Sequence, residues 1–255
     1  MIVALTREPA GSLDACELTY REREPIDAEA AARQHRNYRE ALRACGASLI
    51  TLPSVEGLPD SVFVEDAAIV LEEVAVLTRP GALSRRGEVG LIEPEVARLR
   101  PVVRIEPPAT LEGGDVLRLG RRLYVGLSPR TNAEGIEGLR RLVAPHGYEV
   151  VRVEPRGCLH LKTGCSGLDD STVLVNPEWV DTEVFRGLEV LAVDAAEPWA
   201  ANVLSVTGSI CVSDAFPRTA AMLSARGYDV RTVGVSEFAK AEGGMTCMSL
   251  LFRQP

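Results

Sequence analysis

The stretch Leu111-Glu112-Gly113-Gly114-Asp115-Val116-Leu117-Arg118-Leu119-Gly120-Arg121-Arg122-Leu123-Tyr124-Val125-Gly126 decides the fold. It opens on two acids around a glycine doublet and runs into a short β-rich segment, Val116–Leu119. It then turns at Leu119-Gly120-Arg121-Arg122 and returns as Leu123–Gly126. Gly120 supplies the conformational freedom a tight hairpin needs. A helix-like stretch and another strand follow, so the local unit reads strand, strand, helix, strand.

The same order recurs along the chain. Ala67–Leu71 and Val74–Thr78 flank the polar break Glu72-Glu73, Thr172–Val175 stands in a third unit, and Val203–Val206 with Ile210–Ser213 form a fourth pair. A polar segment precedes each: Phe63-Val64-Glu65-Asp66, the Glu112 segment, His160-Leu161-Lys162, Ala201-Asn202-Val203 and Gly243-Gly244-Met245-Thr246-Cys247. Successive members lie about 42 to 48 residues apart, a spacing at which internal repeats are expected. Five units need more chain than lies between Phe63 and Pro255, unless the N-terminal strand, a helix over 27–45 and a strand over 48–52 complete the last. Asp27 reads as the N-cap of that helix, which runs through Arg43 and stops at Gly46; Pro217 and Gly227 bracket another.

Closing a ring through both termini removes exposed sheet edges. The expected fold is therefore α/β, a five-bladed propeller of ββαβ modules. It forms a single domain over 1–255, with one polar segment from each module at the axis. An ordinary open α/β sheet with connections of similar length is the competing reading. Met1–Leu5, followed at once by Arg7 and Glu8, reads as an edge strand rather than a targeting segment.

Composition narrows the function. The 255 residues are 46% hydrophobic and 25% charged, which fits a globular chain rather than a disordered or fibrous one. The 28 basic and 36 acidic residues give a net charge of −8, and the pairs Arg85-Arg86, Arg121-Arg122 and Arg140-Arg141 are scattered, so no nucleic-acid partner is expected. No apolar run approaches the ~18 residues of a membrane span, and a cytoplasmic protein without membrane partners is expected. The six cysteines form no C-x-x-C pair and have no histidine at zinc spacing, so neither a disulfide framework nor a metal site is read. G-x-G-x-x-G, the P-loop, G-x-S-x-G and H-E-x-x-H are all missing, and no nucleotide cofactor is indicated.

What remains is a small set of reactive side chains. Of three histidines, His35 falls in the first helix and His146 in a helix-exit turn. His160 alone stands at a recurring polar point, where an imidazole can exchange protons near neutral pH. Cys247 follows Gly243 and Gly244, which permit close backbone approach and φ > 0, and leads into an apolar strand from Met248 to Phe252. Glu112 before its own glycine doublet suits a carboxylate at a tight turn. Singly, each has an ordinary structural explanation; together they make a nucleophile, a proton shuttle and an orienting acid. Asp60, Glu65 and Asp66 sit in an apolar stretch, where acids are costly unless paired or facing a cation, and they suit a guanidinium or amine. Arg85 and Arg130 suit a carboxylate. Acids for one end and arginines for the other describe an arginine-like small molecule.

Those segments, with Gly126-Leu127-Ser128-Pro129-Arg130-Thr131-Asn132 and Cys158-Leu159-His160-Leu161-Lys162, resemble in order, over nearly the whole chain, the motifs of the dimethylarginine dimethylaminohydrolases. That family is one of the guanidino-group-modifying enzymes, with arginine deiminases and amidinotransferases, and the resemblance implies the five-bladed pentein fold. It also implies hydrolysis of Nω-methylated arginines to citrulline and an alkylamine, without metal or organic cofactor. By the resemblance Cys247 is the nucleophile, His160 the general acid/base and Glu112 its orienting acid. Glu65 and Asp66 bind the guanidinium, and Asp60, Arg85 and Arg130 the amino-acid end. Leu18, Thr19 and Ala241 belong to the lid region over the substrate, and Cys158 and Cys165 are packing residues. Deiminases and amidinotransferases carry Asp two residues after the histidine; here it is Lys162, which disfavours free arginine. Another alkylguanidine, or a non-catalytic binding protein of the same fold, are the alternatives. The free outer helical face of such a ring suits a homodimer.

Overall fold

The structure, a computed structural model, describes residues 1–254. In the Val116–Gly126 hairpin, Val116–Leu119 pairs antiparallel with Arg122–Gly126, Val116 opposite Val125 and Leu119 opposite Arg122. Gly120 sits at φ 57°, a conformation that costs glycine little. A parallel return needs a crossover, and helix Ala133–Val143 provides it. Asn132 caps this helix by accepting the Gly135 N–H at 2.8 Å, and Ile136, Leu139 and Val143 lie buried along one stripe. Glu149–Val153 then pairs parallel with Arg122–Gly126.

Every module repeats this: three strands, the second central, antiparallel to the first and parallel to the third. The others comprise Ala68–Val70, Ala75–Leu77 and Val102–Arg104; Cys165–Gly167, Thr172–Val175 and Glu189–Ala192; and Leu204–Val206, Ser209–Ser213 and Asp229–Val233. Helices Arg86–Leu99 and Pro217–Ala225 make the first and fourth crossovers. In the third module the short 3-10 turn Thr182–Phe185 does so, with Phe185 packed 4.9 Å from the Tyr124 ring.

The fifth module joins both ends of the chain. Ile2–Arg7 lies between Leu250–Arg253 and Ala47–Leu52. It is the central strand of its sheet and not the edge strand expected, because the C-terminal strand occupies its other side. Helix Ala28–Ala44 is the crossover, with Asp27 accepting the Ala30 N–H and Gly46 at φ 86°. The last strand begins at Leu250 rather than Met248, which leaves Cys247 in the turn over 245–248.

The apolar core lies between sheets and outer helices and from module to module. Val3, Leu5 and Phe252 of the fifth module pack with Leu77, Val89 and Ile92 of the first. Truncating one such side chain to alanine costs about 2–5 kcal/mol. That rigidity positions the five polar segments, each of which turns just before the first strand of its module. No described helix is long and apolar enough to cross a membrane.

Candidate active site

Three of the five polar segments split their residues between two cavities. A narrow pocket of about 20 Å³ is lined by Asp60, Asp66, Arg85, Arg130, His160, Ala241 and Cys247, among others. A wide cavity of about 780 Å³ is lined by Glu65, Lys162 and Thr246, the sequence neighbours of those residues. Segments 65–66, 160–162 and 246–247 therefore form the wall between the two.

On the narrow side His160 is buried with its Nε2 2.7 Å from Glu112 Oε2. Its Nδ1 stands 3.9 Å from Asp66 Oδ1, beyond hydrogen-bond reach. Burial disfavours the imidazolium, but Asp66, Asp115 and the Glu112 contact outweigh it and raise the imidazole to about 9. Burial likewise pushes Asp66 up, and the His160 and Arg85 charges overcome it and hold this carboxyl at about 2. The pocket thus keeps an imidazolium between carboxylates at neutral pH. Gly114 makes this possible: a Cβ there would come 2.6 Å from His160 Nδ1 and 2.7 Å from Asp66 Oδ1.

Cys247 is half-buried, and the Gly244 N–H donates to its Sγ at 3.3 Å. Burial, followed by the Glu65 and Asp66 charges, pushes its thiol up to about 12, so the resting side chain is protonated. The turn is pinned from outside by Tyr38, whose hydroxyl donates to the Met245 carbonyl at 2.9 Å and lies 2.7 Å from Ser249 Oγ. Neither Gly243 nor Gly244 has positive φ. Gly244 is needed for close approach, since a Cβ would come 2.5 Å from Asn202 Oδ1.

Arg85 is fully buried among acids. Its Nη1 donates to Asp66 at 2.6 Å, and its Nε and Nη2 donate to Glu88 at 3.1 and 2.9 Å. Two further contacts of 3.3 Å reach the Asp60 and Phe63 carbonyls. Arg85 thus holds Asp66 in place and retains little of its fork for a ligand. Arg130 differs: its Nη1 is buried without a hydrogen-bond partner, 3.5 Å from Glu112 Oε1, and its Nη2 donates to Thr19 Oγ1 at 3.3 Å. An unpartnered buried guanidinium N–H is costly and awaits an anion.

Glu65 faces away from this pocket. It accepts from Lys162 Nζ at 2.5 Å and from Thr246 Oγ1 at 2.7 Å. Asn202 joins the same network, donating to the Lys162 carbonyl at 2.8 Å and accepting the Thr246 N–H at 3.0 Å. Asp60 accepts the Glu17 N–H at 3.0 Å. Leu18 packs on the apolar cluster that includes Phe63 and Ala241 and does not line the pocket. Glu242 does line it, and receives the N–H groups of Thr19, Tyr20 and Arg21 at 2.5 to 3.1 Å. Segment 17–21 is thereby strapped over the pocket.

Sequence reasoning assigned no role to Glu88, Asp115, Asn202 or Glu242. The i, i+3 spacing of Arg85 and Glu88 was the one available signal; the others depend on contacts between modules. Cys158 and Cys165 are buried, with their thiols against the His160 and Leu161 carbonyls. Ligand atoms of Asp66, Glu112 and His160 lie within 4.8 Å of one another. The guanidinium groups of Arg85 and Arg130 already supply cations to two of these carboxylates, a poor setting for a metal ion.

Residues 52–197 match the arginine deiminase family, so ring and site together place the chain among the proteins built like the deiminases. More similar relatives narrow this. The N(G),N(G)-dimethylarginine dimethylaminohydrolase of Pseudomonas aeruginosa is 41% identical over 226 residues, 87% of this chain and 88% of the relative. That of Streptomyces coelicolor is 39% identical over 253 residues, 98% and 97%. A solved cysteine-to-serine variant of the Pseudomonas enzyme, complexed with citrulline, superposes with a TM-score of 0.94 at 38% identity, covering 98% of each chain. The chain belongs to the dimethylarginine dimethylaminohydrolase family, and its ring is the five-bladed pentein fold.

Proposed function

We propose that this protein, acting as one catalytic unit over 1–255, hydrolyses Nω-methylated arginines to citrulline and methylamine or dimethylamine. One observation carries the reading: Cys247, the His160 imidazolium and the Asp66 carboxylate line a single closed pocket, with Glu112 on the far ring nitrogen. Asp66 holds the guanidinium, while Asp60, Arg130 and the remaining Nη1 N–H of Arg85 receive the amino-acid end. Glu65 stands behind Asp66 in the wall, and Ala241 and Leu18 border the entrance.

The bound guanidinium puts positive charge beside the thiol and lowers its pKa, so Cys247 releases its proton to solvent as substrate arrives, His160 being already protonated. The thiolate attacks the guanidinium carbon, and His160 gives its proton to the departing alkylamine. This leaves an S-alkylthiouronium on Cys247. The now neutral imidazole takes a proton from water as it attacks the same carbon, and citrulline leaves with the thiolate restored. A pocket of about 20 Å³ is far below the roughly 300 Å³ that small-molecule sites start from, so segment 17–21 must open for entry.

The test is citrulline release from asymmetric dimethylarginine, monomethylarginine and free arginine by wild type and Cys247→Ser. Release from the methylated substrates alone, abolished in the variant, is expected. Release from free arginine would move the protein to the deiminases, a second reading against which the Lys162–Glu65 pair speaks. Silence on all three with a reactive thiol would point to another alkylguanidine; silence with an inert thiol would mean a non-catalytic binding protein.

A further inference from the structure

Outside the residues already given roles, the ring holds one fully buried carboxylate with no cation within ion-pair distance among the described residues, Asp115. Isolated buried charge is costly unless hydrogen bonds satisfy it, and here three donors do. Oδ2 accepts from Ser128 Oγ at 2.6 Å and from Thr131 Oγ1 at 2.7 Å. Oδ1 accepts the Leu161 N–H at 2.9 Å. The donors come from two modules, and each lies within two residues of a residue of the pocket. Leu161 follows His160, Ser128 and Thr131 flank Arg130, and Thr131 Oγ1 also accepts the Glu112 N–H at 3.2 Å. Ser128 Oγ in turn accepts the Arg130 N–H at 3.1 Å.

We propose that Asp115 is a positioning residue for the hydrolysis, a single carboxylate that fixes His160, Glu112 and Arg130 relative to one another across the seam between two modules. The inference rests on the functional reading above. None of the three contacts involves a pocket-facing atom, so Asp115 acts through its neighbours. The two oxygens of one carboxylate couple the Arg130 loop, held at Oδ2, to the His160 turn, held at Oδ1, so that the carboxylate cannot follow one without straining its bond to the other. The charge acts too. The imidazolium is faced by Asp66 and Glu112, with Arg85 and Arg130 behind them and Cys247 across the pocket; Asp115 adds a third negative charge behind the ring.

Asp115→Asn separates charge from shape. The amide oxygen can accept the Leu161 N–H, and its NH₂ can donate to the hydroxyls, which then act as acceptors. Two readouts are taken on wild type and variant: steady-state kinetics with dimethylarginine, and the NMR titration of the His160 imidazole, which needs no substrate. We expect kcat to fall at least about tenfold with KM changed less than about threefold, because misplacement of reacting groups acts on the chemical step. The His160 midpoint is expected to move to lower pH by about one unit, since a favourable negative charge is lost. An unchanged kcat overturns the proposal, whatever the midpoint does. Should Asp115→Asn fail to fold, Thr131→Val, which removes one donor to Asp115 and the acceptor of the Glu112 N–H, decides on the same kinetics. A wild type inactive on every methylated arginine would instead break the functional reading. The midpoint then decides on Asp115 by itself: a shift supports it and an unmoved midpoint overturns it.

Discussion

The two cavities of the ring share three polar segments, 63–66, 160–162 and 243–247, and behave as opposites. At the narrow end, Asp66, His160 and Cys247 crowd about 20 Å³, and nearly every charge there has an assigned partner. At the wide end about 780 Å³ is bordered by strand residues and by exposed side chains such as Asp170 and Arg253. The difference arises over steps of one or two residues: Glu65 against Asp66, Lys162 against His160, Thr246 against Cys247. Fivefold repetition supplies the frame, and chemistry appears where the turn before a strand aims one residue up and its neighbour down. The wall between the ends is the Glu65–Lys162–Thr246–Asn202 network.

Breaking that wall is expected to have the largest effect. Lys162→Met leaves Glu65 buried with only a hydroxyl partner, and removing one member of a buried ion pair typically costs about 3–5 kcal/mol. Urea denaturation should show a loss of that order, with Glu65→Gln on the same background restoring most of it. Equal stability of Lys162→Met and wild type would mean that the two ends are not separated by this pair.

His160 makes the narrow end pH-sensitive. Its folded value of about 9 exceeds the ordinary ~6.5 of an unfolded histidine. The imidazolium contact therefore contributes fully below pH ~6.5 and is lost as pH rises through about 9. Up to about 3 kcal/mol disappears over that window by linkage. Thermal denaturation from pH 6 to 10 should show the decline in wild type and a flatter curve in His160→Gln. Activity, with the His160 imidazolium as the proposed acid, should fall over the same alkaline limb.

The strap over the narrow end comes next. Glu242 adopts φ 58°, unusual for a side chain with a Cβ, and its carboxylate gathers three consecutive N–H groups. Glu242→Gln keeps the shape and weakens these charge-assisted bonds by about 1 kcal/mol in all. A roughly fivefold rise in KM with kcat little changed is expected. A fall in kcat with unchanged KM would place Glu242 in the chemistry instead.

The modular frame was legible because hairpin glycines, helix caps and a polar segment every four dozen residues are local signals. Gly120, Asp27 and Pro217 each mark the element boundary that the spacing predicts. The place of Met1–Leu5 in its sheet was not, since a central strand is made central by a partner some 250 residues away. At the site, residue types pointed to the chemistry, and Cys247, His160 and Asp66 do line one pocket. Orientation was invisible: adjacent acids in Glu65-Asp66 read alike as sequence, and only the 3-10 turn over Val64–Ala67 sends them to opposite sides. Arg85 and Arg130 also read alike, yet Glu88 engages one and leaves the other's Nη1 free.

The smallest effect is expected at the wide end. Arg253 borders the large cavity, is exposed, and makes no side-chain ion pair or hydrogen bond among the described residues. Arg253→Gln should therefore change stability by no more than about 0.5 kcal/mol and leave kcat and KM within error, as surface substitutions away from special features do. The measurement matters because of what lies between: Arg253 shares its cavity with Lys162 and Thr246, one residue from the thiol and two from the imidazole in sequence. A neutral result means the network screens the pocket from charge changes at the wide end. A shifted pH profile in Arg253→Gln would show that the wide end's field reaches His160 through the wall, and that the two ends act as one electrostatic site.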